Sequence, residues 1–340
     1  MMELESKHIQ APELYGNHWL NAEPVSLRGQ SREVFLIDFW DYTCINCIRA
    51  LPYIQEWHRK YLDFGLTVVG VHTPEFDFAT SLERVQKAVE QFKVEYAVML
   101  DNEAKMWNAY AVHFWPTRCL VDRDGYIRFV QHGEGGYMEF ERALQQLLIE
   151  AGCHRELPPL TIPFRDEDQT GVVCFHATSE LFLGYLRGAL GNPEGYNPES
   201  TLEYSDPGIY FPERFYAAGK WMNERQSLRF DGEAEEQGTI MLPYQASGVN
   251  AVMGSRDGSL CEVNIQQNGQ PLAMEIYGED VASGPGGVTS LVVDAPRMYQ
   301  LVRNKEFGSH LMKLTTSNTQ LEIFSFSFTT SVIPELILSN

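Results

Sequence analysis

One stretch constrains this chain more than any other: VFLIDFWDYTCINC, residues 34–47. Its first half, VFLIDFW (34–40), is a nearly continuous apolar run, the pattern of a strand covered on both faces. Behind it, Ile45, Ile48, Leu51, Ile54, Trp57 and Tyr61 recur at helical spacing. A doubly covered strand feeding directly into an amphipathic helix calls for an α/β layered fold. Two cysteines, Cys44 and Cys47, fall on the first turn of that helix, and a single acid, Asp38, interrupts the apolar run. A carboxylate amid Phe35, Leu36, Ile37, Phe39 and Trp40 is costly unless it has a role or takes a proton.

The same alternation continues to about residue 150. LTVVGVH (66–72) reads as a second buried strand, Leu82, Val85, Val89 and Phe92 as an amphipathic helix, and YAVML (96–100) as a short strand. A helix follows over 104–112. TRCLVD (117–122) and YIRFVQ (126–131) flank Arg123-Asp124-Gly125 as a hairpin, and Phe140, Ala143, Leu144, Leu147 and Leu148 stripe a closing helix that stops at Gly152. Pro158, Pro159 and Pro163 then mark a change of character. Beyond them come short strands punctuated by Gly, Pro and Asn: VNAVMG (249–254), LCEVNIQQ (260–267), TSLVVD (289–294), HLMKLTT (310–316) and EIFSFSF (322–328), with turns at Asp257-Gly258 and Asn268-Gly269. In EIFSFSF the residues Phe324, Phe326 and Phe328 are expected on one face. With 340 residues, about two domains are expected. The division read here is an N-terminal tail (1–10), an α/β domain (11–155), a linker (156–170), an all-β sandwich of jelly-roll type (171–332) and a C-terminal tail (333–340).

A formal charge of −20 argues against a nucleic-acid partner or an anionic membrane surface, both of which need basic patches. No apolar run approaches the ~20 residues that span a bilayer, so no direct membrane insertion is expected. The start, MMELESKHIQAPEL, lacks the basic-then-apolar pattern of a secretory signal, which gives a cytoplasmic location as the expectation. Six cysteines in 340 residues are too few for a disulfide scaffold, and reduced thiols suit that compartment.

The chemistry lies in the cysteine pair. Thiols at i and i+3 can close a small disulfide, and a helix N-terminus favours a thiolate at Cys44, the attacking species in disulfide exchange. Cys47, one turn deeper, would resolve the mixed disulfide. A zinc site would need a second ligand pair, and neither Cys119, Cys153, Cys174 and Cys261 nor the nine histidines provide one at metal spacing. No metal or cofactor is therefore expected. His72 and His113 read as ordinary strand and helix-end residues, and Cys119 as a small buried side chain. Gly133-Glu134-Gly135-Gly136 sits between a strand and a helix, as a phosphate loop does, but lacks the Lys-Ser/Thr ending and lies in an acidic chain.

These residues resemble thioredoxin-fold oxidoreductases, close to the thioredoxin-like proteins of cytochrome c maturation, with the extra helix and strand after GVHTP. DFWDYTCINCIRALPYIQEWHRKY, GVHTPEFDF, WNAYAVHFWPT and HGEGGYMEFERA are similar to the C-terminal soluble region of DipZ-type cytochrome c biogenesis proteins. The likeness continues more weakly through LGYLRG, AAGKW and FSFSFTT. The resemblance implies a thioredoxin-like domain followed by a β-sandwich like a carbohydrate-binding module. It implies that Asp38 takes the proton of Cys47, that Pro116 in Trp115-Pro116-Thr117 is a cis-proline beside the cysteines, and that Pro52 kinks the active-site helix. Trp40, Thr43, Trp115, Pro116 and Thr117 are then the expected substrate-binding residues. The implied partners are protein disulfides or dithiols and an upstream electron donor. The membrane electron-transfer domain of that family is not found in this sequence, so its extracytoplasmic role does not transfer directly.

Two other readings stand beside this one. A thiol peroxidase would need Thr three residues before its reactive cysteine, where this chain has Asp41. A glycan- or protein-binding module with a vestigial redox domain would use aromatics such as Tyr185, Tyr196, Tyr204, Tyr210, Phe211, Trp221 and Tyr299.

Overall fold

The computed structural model describes residues 4, 6–28, 33–233 and 235–334. The chain divides into two compact units, Met1–Thr170 and Gly171–Asn340.

The first unit contains, in order, β1 (Trp19–Leu20), β2 (Val34–Trp40), α1 (Ile45–Tyr61), β3 (Leu66–His72), α2 (Leu82–Gln91), β4 (Ala97–Leu100), α3 (Lys105–Ala109), β5 (Thr117–Val121), β6 (Ile127–His132) and α4 (Tyr137–Glu150). Its six strands form one sheet in the order β1-β4-β3-β2-β5-β6. The β2–β3 and β3–β4 pairs are parallel, and β1, β5 and β6 join antiparallel. This is a thioredoxin-like arrangement.

Strand periodicity decides what each face carries. Val34, Leu36 and Trp40 of β2 pack with Cys47, Leu51, Ile54 and Trp57 of α1 and Phe140, Leu144 and Leu147 of α4. Phe35, Ile37 and Phe39 point the other way, into a core with Val69, Val71, Met106 and Cys119. Asp38 keeps the parity of Leu36 and Trp40, so its carboxyl belongs to the apolar layer beneath α1. The register sets it opposite Gly70 of β3 on one side and Arg118 of β5 on the other.

Two segments behave differently from the sequence expectation. Gln10, placed in the tail, bridges Tyr126, and the Ile127 amide donates to the Ile9 carbonyl at 2.9 Å. Residues 156–170, expected as a linker, are strapped to the first unit. The Thr161 amide donates to Glu141 (2.7 Å), the Phe164 amide to the Tyr53 hydroxyl (2.7 Å), and that hydroxyl to Asp168 (2.7 Å). The prolines signal an irregular path, and these polar contacts hold it down.

The second unit is mostly strands: β7 (Leu181–Phe182), β8 (Thr201–Tyr204), β9 (Tyr216–Asn223), β10 (Leu228–Phe230), β11 (Gly238–Ser255), β12 (Cys261–Gln267), β13 (Gln270–Pro271), β14 (Ala282–Ser283), β15 (Thr289–Val293), β16 (Arg297–Thr316) and β17 (Leu321–Thr329). All belong to a single hydrogen-bonded sheet. The long strands β11 and β16 carry it. One edge of β11 follows β16, while the other pairs first with β9 and then with β17. Register shifts at Ala246/Gly248 and Val249/Asn250 interrupt the β11–β16 ladder, and such bulges bend a strand. The shift opposite Val252/Met253 breaks the expected phenylalanine face: Leu321, Ile323 and Phe326 enter the core cluster and Phe324 does not. Of the expected C-terminal tail, Ile333 bonds to the Val173 carbonyl, and residues 335–340 lie outside the described residues. Among the described residues no helix is long and apolar enough to cross a membrane.

Candidate active site

The loop between β2 and α1 is built on Asp41. This fully buried carboxylate accepts from the Thr43 amide (2.6 Å) and hydroxyl (2.5 Å) through Oδ1, and from the Glu75 amide (2.8 Å) through Oδ2. Its carbonyl accepts from the Cys44 amide at 3.2 Å. His72 Nε2 stands 3.8 Å from Asp41 Oδ2, and its ring stacks on Tyr42. Burial lowers the His72 pKa, more than Asp41 raises it, so a neutral imidazole supports the loop. The chain is thereby fixed for entry into α1.

Cys44 is the N-cap of α1, with extended backbone (φ −82°, ψ 114°), and its Sγ accepts from the Cys47 amide at 3.3 Å. A thiolate in that position gains a charge-assisted hydrogen bond and the positive end of the helix dipole. The first turn of α1 carries no acidic residue to oppose it. Cys44 is half-buried and Cys47 buried, both as thiols. Burial, and then the neighbouring Cys44 sulfur, push the Cys47 thiol well above its ordinary pKa, and the charge of Asp38 acts in the same direction. Cys47 therefore needs a proton acceptor before it can attack.

Asp38 is equipped for that task. It is 1% exposed, and neither carboxylate oxygen has a hydrogen-bond partner. Burial pushes its pKa up to about 7, against the pull of Arg118. A carboxyl titrating there can accept a proton near neutrality.

The other expected site residues divide by accessibility. The Trp115–Pro116 peptide is cis. Trp115 is half-buried, its indole donating to the Thr73 carbonyl at 3.1 Å with its ring against Trp107. Phe114 beside it is 62% exposed. Trp40, expected as a wall beside the sulfurs, is instead fully buried in the core under α1. Thr43 and Thr117 are also buried. Thr43 serves Asp41, and the Thr117 hydroxyl donates to the Phe114 carbonyl at 2.8 Å. These three position the loops and have no surface to offer a substrate. Pro116 is buried behind Trp115 and Phe114 in sequence. Adjacency in sequence identified the right loops but not which side chains face outward. Asp41 and Arg118, which carry much of the arrangement, were not singled out as site residues.

In the second unit, Tyr204, Trp221 and Tyr299 are buried and packed in the core, and Tyr196 packs partly against it. They are thus removed from the proposed sugar-stacking set, which leaves the exposed Phe211 and the half-buried Tyr185 and Tyr210. Among the described residues no group of three or more His, Cys, Asp or Glu side chains is placed to hold a metal ion.

Residues 9–130 match the AhpC/TSA family, and residues 178–329 match the thioredoxin-like C-terminal domain. The Protein DipZ of Mycobacterium bovis is 31% identical over 323 residues, covering 94% of this chain and 42% of that protein. The chain thus spans less than half the length of this relative. The thiol-disulfide oxidoreductase YkuV of Bacillus subtilis is 27% identical over 41% of this chain and 94% of its own. The solved structure of a thiol-disulfide isomerase from Corynebacterium glutamicum is 25% identical, with 41% of this chain and 96% of that one covered, at a TM-score of 0.38. The chain is thus similar to DipZ along 94% of its length, and its first unit has a thioredoxin-like fold.

Proposed function

We propose that this protein is a thiol–disulfide oxidoreductase that reduces disulfides of partner proteins. The observation that carries the reading is the vertical order of three groups: Cys44 at the helix cap, Cys47 buried one turn inward, and Asp38 without a hydrogen-bond partner in the same apolar layer. The Cys44 thiolate attacks one sulfur of a substrate disulfide, forming a mixed disulfide and expelling the other sulfur as a thiolate. Cys47 gives its proton to Asp38, attacks Cys44 Sγ and closes the Cys44–Cys47 disulfide. The substrate's second thiolate leaves and takes up a proton. Two electrons pass from the dithiol to the substrate, and an upstream dithiol donor restores the pair. Trp115, which packs on the same core cluster as Cys44, is the apolar surface offered to the substrate, and Pro116 anchors the loop that presents it. The resemblance to cytochrome c maturation proteins points to that class of partner, and the second unit is read as a sandwich of the carbohydrate-binding-module type.

Insulin reduction in the presence of dithiothreitol tests the activity. Wild type is expected to accelerate precipitation, and Cys44→Ser to abolish the effect. Cys47→Ser is expected to accumulate a mixed disulfide with its substrate, and failure to trap any adduct would overturn the mechanism. The AhpC/TSA match favours a thiol peroxidase as the second reading. Sustained peroxide consumption by Cys47→Ser, dependent on Cys44 and with a small thiol such as dithiothreitol as the reductant in place of a partner protein, would establish it instead.

A further inference from the structure

Arg118 is a charged side chain fully enclosed in the first unit, at 0% exposed. The antiparallel register sets it directly across from Asp38, on the face of the sheet that α1 and α4 cover. An arginine in an apolar layer is costly unless its donors are engaged. Part of that engagement comes from the loop between β6 and α4. Arg118 Nη2 donates to the carbonyls of Gly133 (3.0 Å) and Gly135 (2.9 Å). Gly133, Gly135 and Gly136 all have positive φ (72°, 86° and 63°), a conformation that L side chains rarely adopt. The guanidinium lies over the rings of Tyr137 (4.8 Å) and Phe140 (5.4 Å). Its Nε and Nη1 have no hydrogen-bond partner.

The charges around this pair are few. Cys47 faces it from α1, Tyr96 from the segment before β4, and Tyr137 from α4. β3 contributes only Gly70 in register. The second acid, Glu134, is already engaged, in an ion pair with Arg49 (Nε at 2.8 Å) and accepting from Arg165. Tyr137 stands first among the groups acting on Arg118, but burial holds its hydroxyl protonated well above neutral pH, so near neutrality Arg118 and Asp38 are each other's principal counter-charge. With both present, the buried layer is neutral before and after Cys47 hands its proton to Asp38. With Arg118 neutralised, the layer would carry a net negative charge in both states.

We propose that Arg118 is a positioning residue for disulfide exchange, its fixed charge keeping Asp38 ionised and ready to take the Cys47 proton. The inference rests on the dithiol mechanism above and adds to it the group that sets its working pH.

The test uses the full chain and Ellman's disulfide. Cys44 attacks it and releases one thionitrobenzoate, and Cys47 then releases the second, so the slower release reads resolution alone. The wild-type rate of that phase is expected to rise with pH to a midpoint near 7, where burial has brought Asp38. In Arg118→Met and Arg118→Gln the midpoint is expected to move up by about one unit or more. At pH 7 the second phase should then slow about fivefold or more, with the first phase unchanged. Arg118→Lys keeps the charge but cannot reproduce the two-carbonyl fork, and its midpoint is expected to stay within about half a unit of wild type. A folded neutral variant with the wild-type midpoint overturns the proposal. If neither neutral variant folds, the lysine variant decides: an upward shift despite the retained charge makes the role one of loop anchoring and overturns it. Absence of a second phase in wild type would instead remove the dithiol mechanism itself.

Discussion

Replacing Asp38 by Asn should make the protein more stable and less active, in a pH-dependent way that can be worked from the structure. Burial raises the Asp38 carboxyl from 3.8 to about 7. The unfolded chain releases this proton near pH 4 and the folded chain only near pH 7, so between those values the native state binds more protons. Stability therefore falls as pH rises through that window, and below it the cost vanishes because both states are protonated. A shift of about three units corresponds to about 4 kcal/mol, carried in full above pH 7. The attraction of Arg118 is already contained in that shift, because it opposes the desolvation that dominates. Asn has nothing to ionise, so the variant should match wild type near pH 4 and exceed it by up to about 4 kcal/mol at pH 8. For a unit of this size that is a rise in Tm of about 8–16 °C. Thermal unfolding of both reduced proteins, followed by tryptophan fluorescence across pH 4–8, reads the gap directly. The resolution phase with Ellman's disulfide should slow by about 10²-fold for want of the base. An Asn variant no more stable than wild type at pH 8, or a gap independent of pH, would refute the assignment of Asp38 as a buried carboxyl titrating near neutrality.

Asp41→Ala strands three donors in a buried loop, at about 1–3 kcal/mol for each that stays unsatisfied. It should lower stability by about 3 kcal/mol or more in denaturant titration and slow the first, Cys44-dependent phase as the helix cap loosens. Gly70→Ala would set a Cβ 3.0 Å from Trp40 Nε1 and 3.1 Å from the Tyr96 ring. Both rings are fully buried and have little room to yield, so a loss of about 1–3 kcal/mol is expected by the same titration. In the second unit, burial and then Glu224 raise Glu322 to about 7. Glu322→Gln should therefore raise that unit's Tm above pH 7 and leave it unchanged near pH 4, as differential scanning calorimetry would show.

The first unit was legible because its signals are local. A doubly apolar strand, a 3.6-residue stripe and a cysteine pair each lie within one window, and the expected helix from Ile45 to Tyr61 is the observed one. The second unit was less so. Only the later parts of β11 and β16 were anticipated, as 249–254 and 310–316, because Pro243, Ser247 and Gly248 and the nearby bulges break the alternation that marks a strand. At the site, Cys44, Cys47 and Asp38 could be read from the chain. The inward direction of Trp40, Thr43 and Thr117 could not, because it depends on which groups the folded loops present to them.

Arg118 and the loop 133–136 show why the remainder stayed hidden. On the page, Gly-Glu-Gly-Gly between a strand and a helix resembles an anion cradle, whose glycines let backbone amides converge on a phosphate. In the structure the same flexibility serves the opposite charge, with two carbonyls converging on a guanidinium. Nothing in the loop's own residues distinguishes the two uses. The distinction comes from β5, where Arg118 follows Thr117 and is set against Asp38 by antiparallel register. An arginine in an otherwise apolar strand reads alone as an edge residue reaching solvent, and an aspartate in another reads alone as a buried base. Only their pairing makes the interior neutral, and only the glycine loop gives the cation its two carbonyl acceptors. The group that sets the working pH of the cysteine pair is thus a property of three segments meeting, and no single window of the sequence contains it.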